Sequence, residues 1–437
     1  MKRIAVIGAG AAGLTAAITA ASNGAEVVIL EHMDRAGKKI LSTGNGRCNF
    51  TNTYQTPSCY HSENEGFPWK IIEKFNSEHI IDFFSDLGVY AKERNGYMYP
   101  NSDQASAVLD ALRMEAERLK INLMLQTECL EISPGKKEFT IHIIQNGKKG
   151  KMCADSVILC TGSKAFPSSG SDGSGYDLAK KLGHSLIPVL PALVQLRCDG
   201  NFFRSIAGVR VQGTVSIWSE NQCLAKDTGE LQLTNYGISG IPVFQVSRYA
   251  SIALYKKKSV SAVLDFMPEF SDRELKTFLM KRAEIRPQKQ ADQFFVGLFN
   301  KKLADLWLKE GKFPKEKKAG TFTEKEIKQI VQLIKNFKVT VTGTNAYEQA
   351  QVCRGGIDTR EVHPDTLESI YIPGLYFAGE ILDVDGMCGG YNLTWAWASG
   401  AVSGKEAAES RNNFAQIKRK ESQSSLKRKQ RKSEKKI

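Results

Sequence analysis

The chain opens on an unbroken apolar run, residues 4–8, that fits a strand buried on both faces of a parallel sheet. An alanine-rich stretch over 12–22 then reads as a helix and residues 26–30 as a second buried strand, which together predict a βαβ unit. A helix with apolar spacing is predicted over 102–119, with Ser102 or Asp103 as its N-cap. Strands are expected near 122–126, 139–145 and 156–160. Between about 191 and 266 the pattern changes to alternation, as in 213–218 and 230–234, and predicts an antiparallel, β-rich segment. Residues 271–337 read as helical and strongly charged. Strand-and-glycine character returns near Ala350, leading to an apolar strand at 375–378 and a final helix over 392–409.

The simplest organisation is of the α/β class, with a Rossmann-type nucleotide-binding domain made from 1–190 and 346–413. It is interrupted by an inserted β-rich domain (191–270) and an inserted helical domain (271–345). Residues 418–437 hold ten Lys or Arg and two Glu, so +8 of the net +13 lies there. The stretch 414–437 is therefore expected to be a solvated, disordered basic tail. Because the excess charge sits mainly in that tail, composition weighs against a nucleic-acid partner without excluding one.

At 42% hydrophobic and 24% charged, the composition is that of a globular protein. No run approaches the roughly 18 apolar residues of a membrane span, so no membrane insertion is expected. Nine cysteines form no CxxC pair and six histidines show no metal spacing, which argues against a disulfide framework or a metal site. The glycines after the first strand fit a dinucleotide turn rather than a secretory signal, and a cytoplasmic location is expected.

Candidate chemistry begins at that turn. In Gly8-Ala9-Gly10-Ala11-Ala12-Gly13, Gly8 permits the tight bend, Gly10 lets backbone approach a pyrophosphate, and Gly13 allows close helix packing. The N–H groups of the helix start, Ala12 included, supply donors. Glu31, at the end of the second strand, can accept from both hydroxyls of an adenosine ribose and would repel a 2′-phosphate. The loop 37–52, containing Lys38, Thr43, Gly44, Arg47, Cys48 and Asn49, is dense in glycines, cations and small donors, as wrapping a diphosphate and ribityl chain requires. Near the C-terminus Gly379, Glu380 and Asp383 follow a strand, and Gly390, Tyr391 and Asn392 start the last helix. A carboxylate there can accept from a ribityl hydroxyl, and the helix start can stabilise a reduced flavin anion. A nicotinamide-only dehydrogenase would have no obvious use for this third segment.

The stretches GAGAAG, GKKILSTGNGRCNFTN, GYMYPNSDQASAVLDAL, ILCTGSKAFPSSGSDGSGYDLAKKLGH, GELQLTNYGISG and GLYFAGEILDVDGMCGGYNLTWAWASG resemble the BaiN-like, or YhiN-type, NAD(P)/FAD-dependent oxidoreductases. That family is a branch of the glutathione-reductase-like flavoproteins. The resemblance implies bound FAD, ribose binding by Glu31, and a loop from Lys38 to Asn49 that lines the cofactor. It also places Cys129 where family members meet adenine through the backbone, and makes Thr161-Gly162 a cofactor turn. In that turn Cys160 and Ser163 replace the usual alanine and second glycine.

The implied activity is hydride transfer between flavin and a small organic substrate, with reduction of a conjugated enone on an alicyclic or steroid-like compound as the specific expectation. NAD(P)H is the expected transient donor, although no second GxGxxG is present. Alternatives are a flavoprotein acting on RNA, since related flavoproteins do so, and a non-catalytic FAD-binding protein. Cys48, beside Arg47, could be redox-active, but a packing role is the preferred reading. Tyr236, within the polar and apolar mixture of 229–240, is the candidate substrate contact.

Overall fold

Five parallel strands form the sheet that carries the site, in the order Leu375–Phe377, Ser156–Leu159, Arg3–Ile7, Glu26–Leu30, Asn122–Met124. The apolar runs dictate this arrangement: Ala5, Val6, Ile29, Val157, Ile158, Leu375 and Phe377 are all fully buried, so both faces of the sheet need cover. The first strand sits at the centre, with Ile4 opposite both Ser156 and Val27. The edge strand Leu375–Phe377, paired with Ser156–Leu159, lies more than 360 residues after the first strand in the chain, confirming an α/β Rossmann-type fold assembled from both ends of the sequence. The computed structural model describes residues 1–410; the expected tail, 414–437, lies outside the described residues.

Contacts divide the chain into two compact units, Met1–Val189 with Val352–Ile437, and Leu190–Gln351. In the first, the opening helix Ala11–Ser22 packs against the last helix Tyr391–Glu409. Small residues permit the approach: a Cβ on Gly400 would stand 2.5 Å from the Ala12 carbonyl oxygen, and one on Gly404 2.3 Å from that of Ala16. A three-stranded antiparallel meander, Thr127–Pro134, Phe139–Gln145 and Lys148–Ala154, precedes the fourth sheet strand. The sequence pattern marks only its middle strand, because the outer two are largely polar and half exposed.

Two local expectations are corrected. The helix expected from 102 spans Ala105–Arg118, and its N-cap is Gln104, not Ser102 or Asp103. Asp103 has a left-handed backbone (φ 53°) and its carboxylate accepts from Arg94 at 2.6 Å, so it is unavailable to the helix. Within the stretch read as β-rich, Ile241–Tyr255 forms a helix that buries Val243, Val246, Ala250 and Ala253 against the surrounding strands. Those positions have helical spacing, which the alternating strands on either side obscure.

The second unit is built on a closed barrel in the order Leu196–Cys198, Gly237–Ser239, Gln222–Leu233, Arg210–Ser219, Val260–Asp265, Phe337–Thr344. The last strand pairs with the first and closes the ring, Leu196 opposite Thr344. Four helices, Asp272–Ile285, Ala291–Phe294, Lys301–Glu310 and Glu324–Lys335, lie in sequence between the fifth and sixth strands. Residues on either side of the expected 270/271 division share one core, in which Phe266 meets Trp307 (5.5 Å) and Phe337 (6.1 Å).

Candidate active site

The dinucleotide turn forms as its glycines require. Gly8 has φ 101°, and a Cβ there would lie 2.6 Å from the Cys160 carbonyl oxygen; a Cβ on Gly13 would lie 1.9 Å from that of Gly8. Both glycines are thus demanded by the protein itself. Gly10 is different, because a Cβ there meets nothing within 4 Å, so its side of the turn faces space suited to a phosphate. The helix it opens has no side-chain cap and no acid in its first turn. Its first N–H groups and positive end are left for an anion.

Other segments converge on this turn. Glu31 is buried; its Oε2 accepts from the Ala9 N–H (2.8 Å) and its Oε1 from that of Met33 (2.9 Å). The carboxylate thereby ties the turn to the second strand and keeps further lone pairs for a ligand. Gly37, in the left-handed region, donates to the Ala9 carbonyl at 2.9 Å. The loop after it begins as a short helix, Lys38–Ser42, then passes through left-handed residues at Gly44, Asn45 and Cys48. Thr43 is half-buried, and Gly44 and Arg47 are exposed on this loop.

The two adjacent lysines part company. Lys38 pairs with Asp34 four residues earlier, ahead of the helix (2.6 Å), whereas Lys39 reaches Glu380 (2.6 Å), which also accepts from the Ser163 hydroxyl at 3.1 Å. Lys39, which the sequence reading passes over, is therefore the cation that joins the loop to the C-terminal segment. Its signal was ambiguous, since neighbouring helical residues point about 100° apart and the sequence alone does not orient the helix.

At the C-terminal segment, Gly379 lies against Ala12, and its N–H donates to Ser399 at 2.9 Å. Asp383 is fully buried and turns to the segment after His61, accepting from the Glu63 N–H at 2.8 Å. Of the two carboxylates expected here, Glu380 is thus the one beside the loop. Asn49, with its amide oriented to satisfy its neighbours, accepts from the Gly390 N–H (3.2 Å) and donates to the Thr51 carbonyl (2.9 Å). Asn52 donates to the Gly389 carbonyl at 3.0 Å, and the hydroxyls of Thr51 and Thr394 share a 2.8 Å bond. Asn392 closes the preceding turn, accepting from the Gly386 N–H at 2.8 Å. Tyr391 is buried edge-on against Tyr60. The last helix, opened by Gly390 at φ 96°, likewise has no side-chain cap and no acid in its first turn.

Cys48 is fully buried among Phe50 and other apolar residues, and desolvation pushes its thiol up to about 12. A thiolate is disfavoured there, which supports the packing role over redox chemistry. Cys129, half-buried on the meander strand two residues after Thr127, has its thiol raised to about 12, again mainly by burial. Thr127 donates its N–H to the Glu31 carbonyl at 2.8 Å, which carries this strand past Glu31. Thr161 and Gly162 follow the fourth sheet strand; Gly162 is left-handed at φ 74°, and the buried Thr161 hydroxyl oxygen has no hydrogen-bond partner among the described residues. A free buried hydroxyl, two uncapped helix starts and an open Gly10 fit a dinucleotide such as FAD.

Sequence reasoning also missed Arg354. It is 5% exposed, donates to the Pro188 carbonyl (3.2 Å), and pairs with Glu63. Next to it, a Cβ on Gly356 would lie 2.6 Å from the Ile381 carbonyl oxygen, so this buried charge stands close behind the 379–383 turn. In the second unit, the Tyr236 hydroxyl accepts from Asn345 at 3.0 Å and the Arg197 guanidinium lies 5.4 Å from its ring. Among the described residues no cluster of ligating side chains could hold a metal, and no helix is long and apolar enough to cross a membrane.

The HI0933-like protein Rossmann domain matches residues 2–406. The chain belongs to the HI0933-like family. It is an FAD-binding oxidoreductase, and the BaiN-like resemblance holds across its length. The 3-dehydro-bile acid delta(4,6)-reductase of Clostridium scindens is 45% identical over 413 residues, 94% of this chain and 100% of that one. The ribosomal RNA dihydrouridine synthase of Haemophilus influenzae is 28% identical over 90% of this chain and 95% of its own length. Among solved structures, 3-ketosteroid-delta4-(5alpha)-dehydrogenase from Rhodococcus jostii RHA1 aligns with a TM-score of 0.48 at 16% identity, covering 94% and 97% of the two chains.

Proposed function

We propose that this HI0933-like enzyme reduces a carbon–carbon double bond conjugated to a carbonyl in a rigid alicyclic, steroid-like compound, with NAD(P)H as electron donor. The observation that carries this reading is the end-to-end 45% identity with a reductase named for a bile-acid substrate. Such a reduction places a hydride on the carbon β to the carbonyl and a proton on the α carbon, while negative charge gathers on the carbonyl oxygen.

Bound FAD would supply the hydride. The chain's own task is to hold and orient that group and exclude water. In this reading the turn from Gly8 to Gly13 takes the diphosphate, Glu31 the adenosine ribose, and Glu380, fixed by Lys39 and Ser163, a ribityl hydroxyl. The start of the last helix at Gly390, Tyr391 and Asn392 presents its positive end to developing anionic charge. Tyr236 is the proposed substrate contact: Tyr236→Ala should raise KM several-fold while FAD content stays unchanged, and unaltered kinetics would remove it from the substrate site.

The test is anaerobic. The purified protein should bleach with NADH or NADPH, recolour on adding a 4,6-dien-3-one bile acid, and release a product two hydrogens heavier. Bleaching without turnover of any such enone would overturn the steroid assignment.

A second reading applies the same chemistry to RNA, because the C5–C6 double bond of uracil is also conjugated to a carbonyl. Two observations favour it: relatives named as ribosomal RNA dihydrouridine synthases match 90% of this chain at 28 and 29% identity, and the second unit is markedly basic. Mass spectrometry of nucleosides from rRNA treated with the reduced enzyme decides it, by the presence or absence of dihydrouridine.

A further inference from the structure

The charge of this protein is segregated. Residues 190–351 hold 25 Lys and Arg against 16 Asp and Glu, whereas the described part of the other unit holds 24 against 29. A dinucleotide site does not call for this, since the basic unit contains none of the glycine turns.

Many cations of the basic unit are consumed internally. Lys276 and Lys328 pair with Glu324, Lys335 with Asp265, Lys317 with Glu326 and Lys315 with Asp305. A different set is gathered by backbone pairing between two loops. The Ala319 N–H donates to the Lys289 carbonyl (2.7 Å), that of Gly320 to Pro287 (3.0 Å), and that of Ala291 to Lys315 (3.0 Å), with Gln290 bridged to Lys318. These bonds bring residues 287–291 and 315–320 side by side, so that Lys289 and Lys318 lie on the paired segments and Arg286 directly precedes the first of them. Arg286 and Lys318 are exposed, Lys289 is half-buried, and none of the three has an ion-pair partner among the described residues. Ile285, 62% exposed, sits among them. Unpaired cations held at fixed spacing by backbone hydrogen bonds retain their mutual repulsion, which a polyanion relieves.

We propose that Arg286, Lys289 and Lys318 form a contact surface for the phosphate backbone of RNA. The proposal rests on the second reading above, in which uracil in RNA is reduced. It adds that the helical part of residues 190–351 holds the polynucleotide through phosphates rather than bases. Among the described residues Arg286, Lys289 and Lys318 stack on no aromatic ring, and cations presented in this way read charge and not sequence, so binding should be strong at low salt and nearly independent of base composition.

The experiment measures fluorescence anisotropy of the full chain, with FAD bound, titrated into a labelled RNA hairpin over a series of salt concentrations. The triple variant Arg286→Gln, Lys289→Gln, Lys318→Gln is compared with Lys148→Gln, Lys149→Gln, Lys151→Gln, a control of equal charge change on an exposed strand of the other unit. The first triple should lower affinity about tenfold or more and flatten the slope of log affinity against log salt by about three, one for each contact removed. The control should change neither by more than a small fraction of that. If the first triple misfolds, the single change Lys318→Glu carries the test. Equal losses in both triples, or no loss in the first, would overturn the surface. Tighter binding to phosphatidylserine vesicles than to RNA, lost in the first triple, would also overturn it in favour of a membrane. Loss of RNA binding in the first triple without any dihydrouridine formation would keep the surface and remove the RNA-reduction reading. Dihydrouridine formed equally well by both triples would do the reverse.

Discussion

At the residue scale, Glu31 performs two tasks with one carboxylate. It anchors the Ala9 and Met33 N–H groups and, in the proposed function, accepts from the adenosine ribose. Glu31→Ala should therefore weaken FAD retention by about 1.5 to 3 kcal/mol, the range for hydrogen bonds to a charged group, and lower thermal stability as well. FAD affinity measured by fluorescence, unchanged in that variant, would contradict the assignment. His184 offers a pH test. It is 3% exposed, with Nε2 2.9 Å from the Ser369 hydroxyl and Nδ1 3.3 Å from Glu361. Burial lowers its pKa below 6.5 despite the raising influence of Glu361. The folded protein therefore holds a neutral imidazole in a range where the unfolded chain already binds a proton. Stability from this residue is complete above pH 6.5 and declines as pH falls from there toward the lowered value. Melting temperature should fall between pH 7 and 5, and fall less steeply in His184→Gln; parallel profiles would refute the mechanism.

At the element scale, the crossing of the first and last helices depends on close backbone approach. Ala12 and Ala16 meet Gly400 and Gly404 at separations that leave no room for a Cβ. Gly404→Leu should cost about 1 to 3 kcal/mol or more through overpacking against backbone. It should also reduce FAD content, because Ala12 belongs to the dinucleotide turn. Denaturant unfolding followed by flavin release would measure both, and a variant with wild-type stability would show that the helices can separate freely. In the barrel unit, Trp307 is fully buried against Phe266, Phe295 and Phe299, yet its indole N–H has no partner among the described residues. Trp307→Ala should destabilise this unit by about 3 to 5 kcal/mol. Trp307→Phe should cost much less, since it also removes an unpaired donor worth roughly 1 to 3 kcal/mol. Equal losses in the two variants, read by calorimetry, would mean that the N–H is satisfied in solution.

At the scale of the whole molecule, the sequence by itself determined those features that depend on short-range pattern. The central βαβ unit, the glycine turn, Glu31 and the final helix were legible because apolar periodicity and glycine spacing act within about 30 residues. The likeness of the remote C-terminal segment to flavoprotein relatives then tied it to the same domain. Only tertiary structure decided which of two adjacent lysines meets Glu380, that Asn49 and Asn52 fasten the turn before the last helix, and that Asp103 serves Arg94 instead of a helix end. It also decided that Phe337–Thr344 closes a barrel begun at Leu196, across six intervening α-helices. Each of these outcomes depends on partners far apart in the chain, and a side chain's direction is set by packing that local periodicity does not encode. The gathering of Arg286, Lys289 and Lys318 has the same origin: the sequence holds the charges, but hydrogen bonds between two distant loops bring them onto one surface.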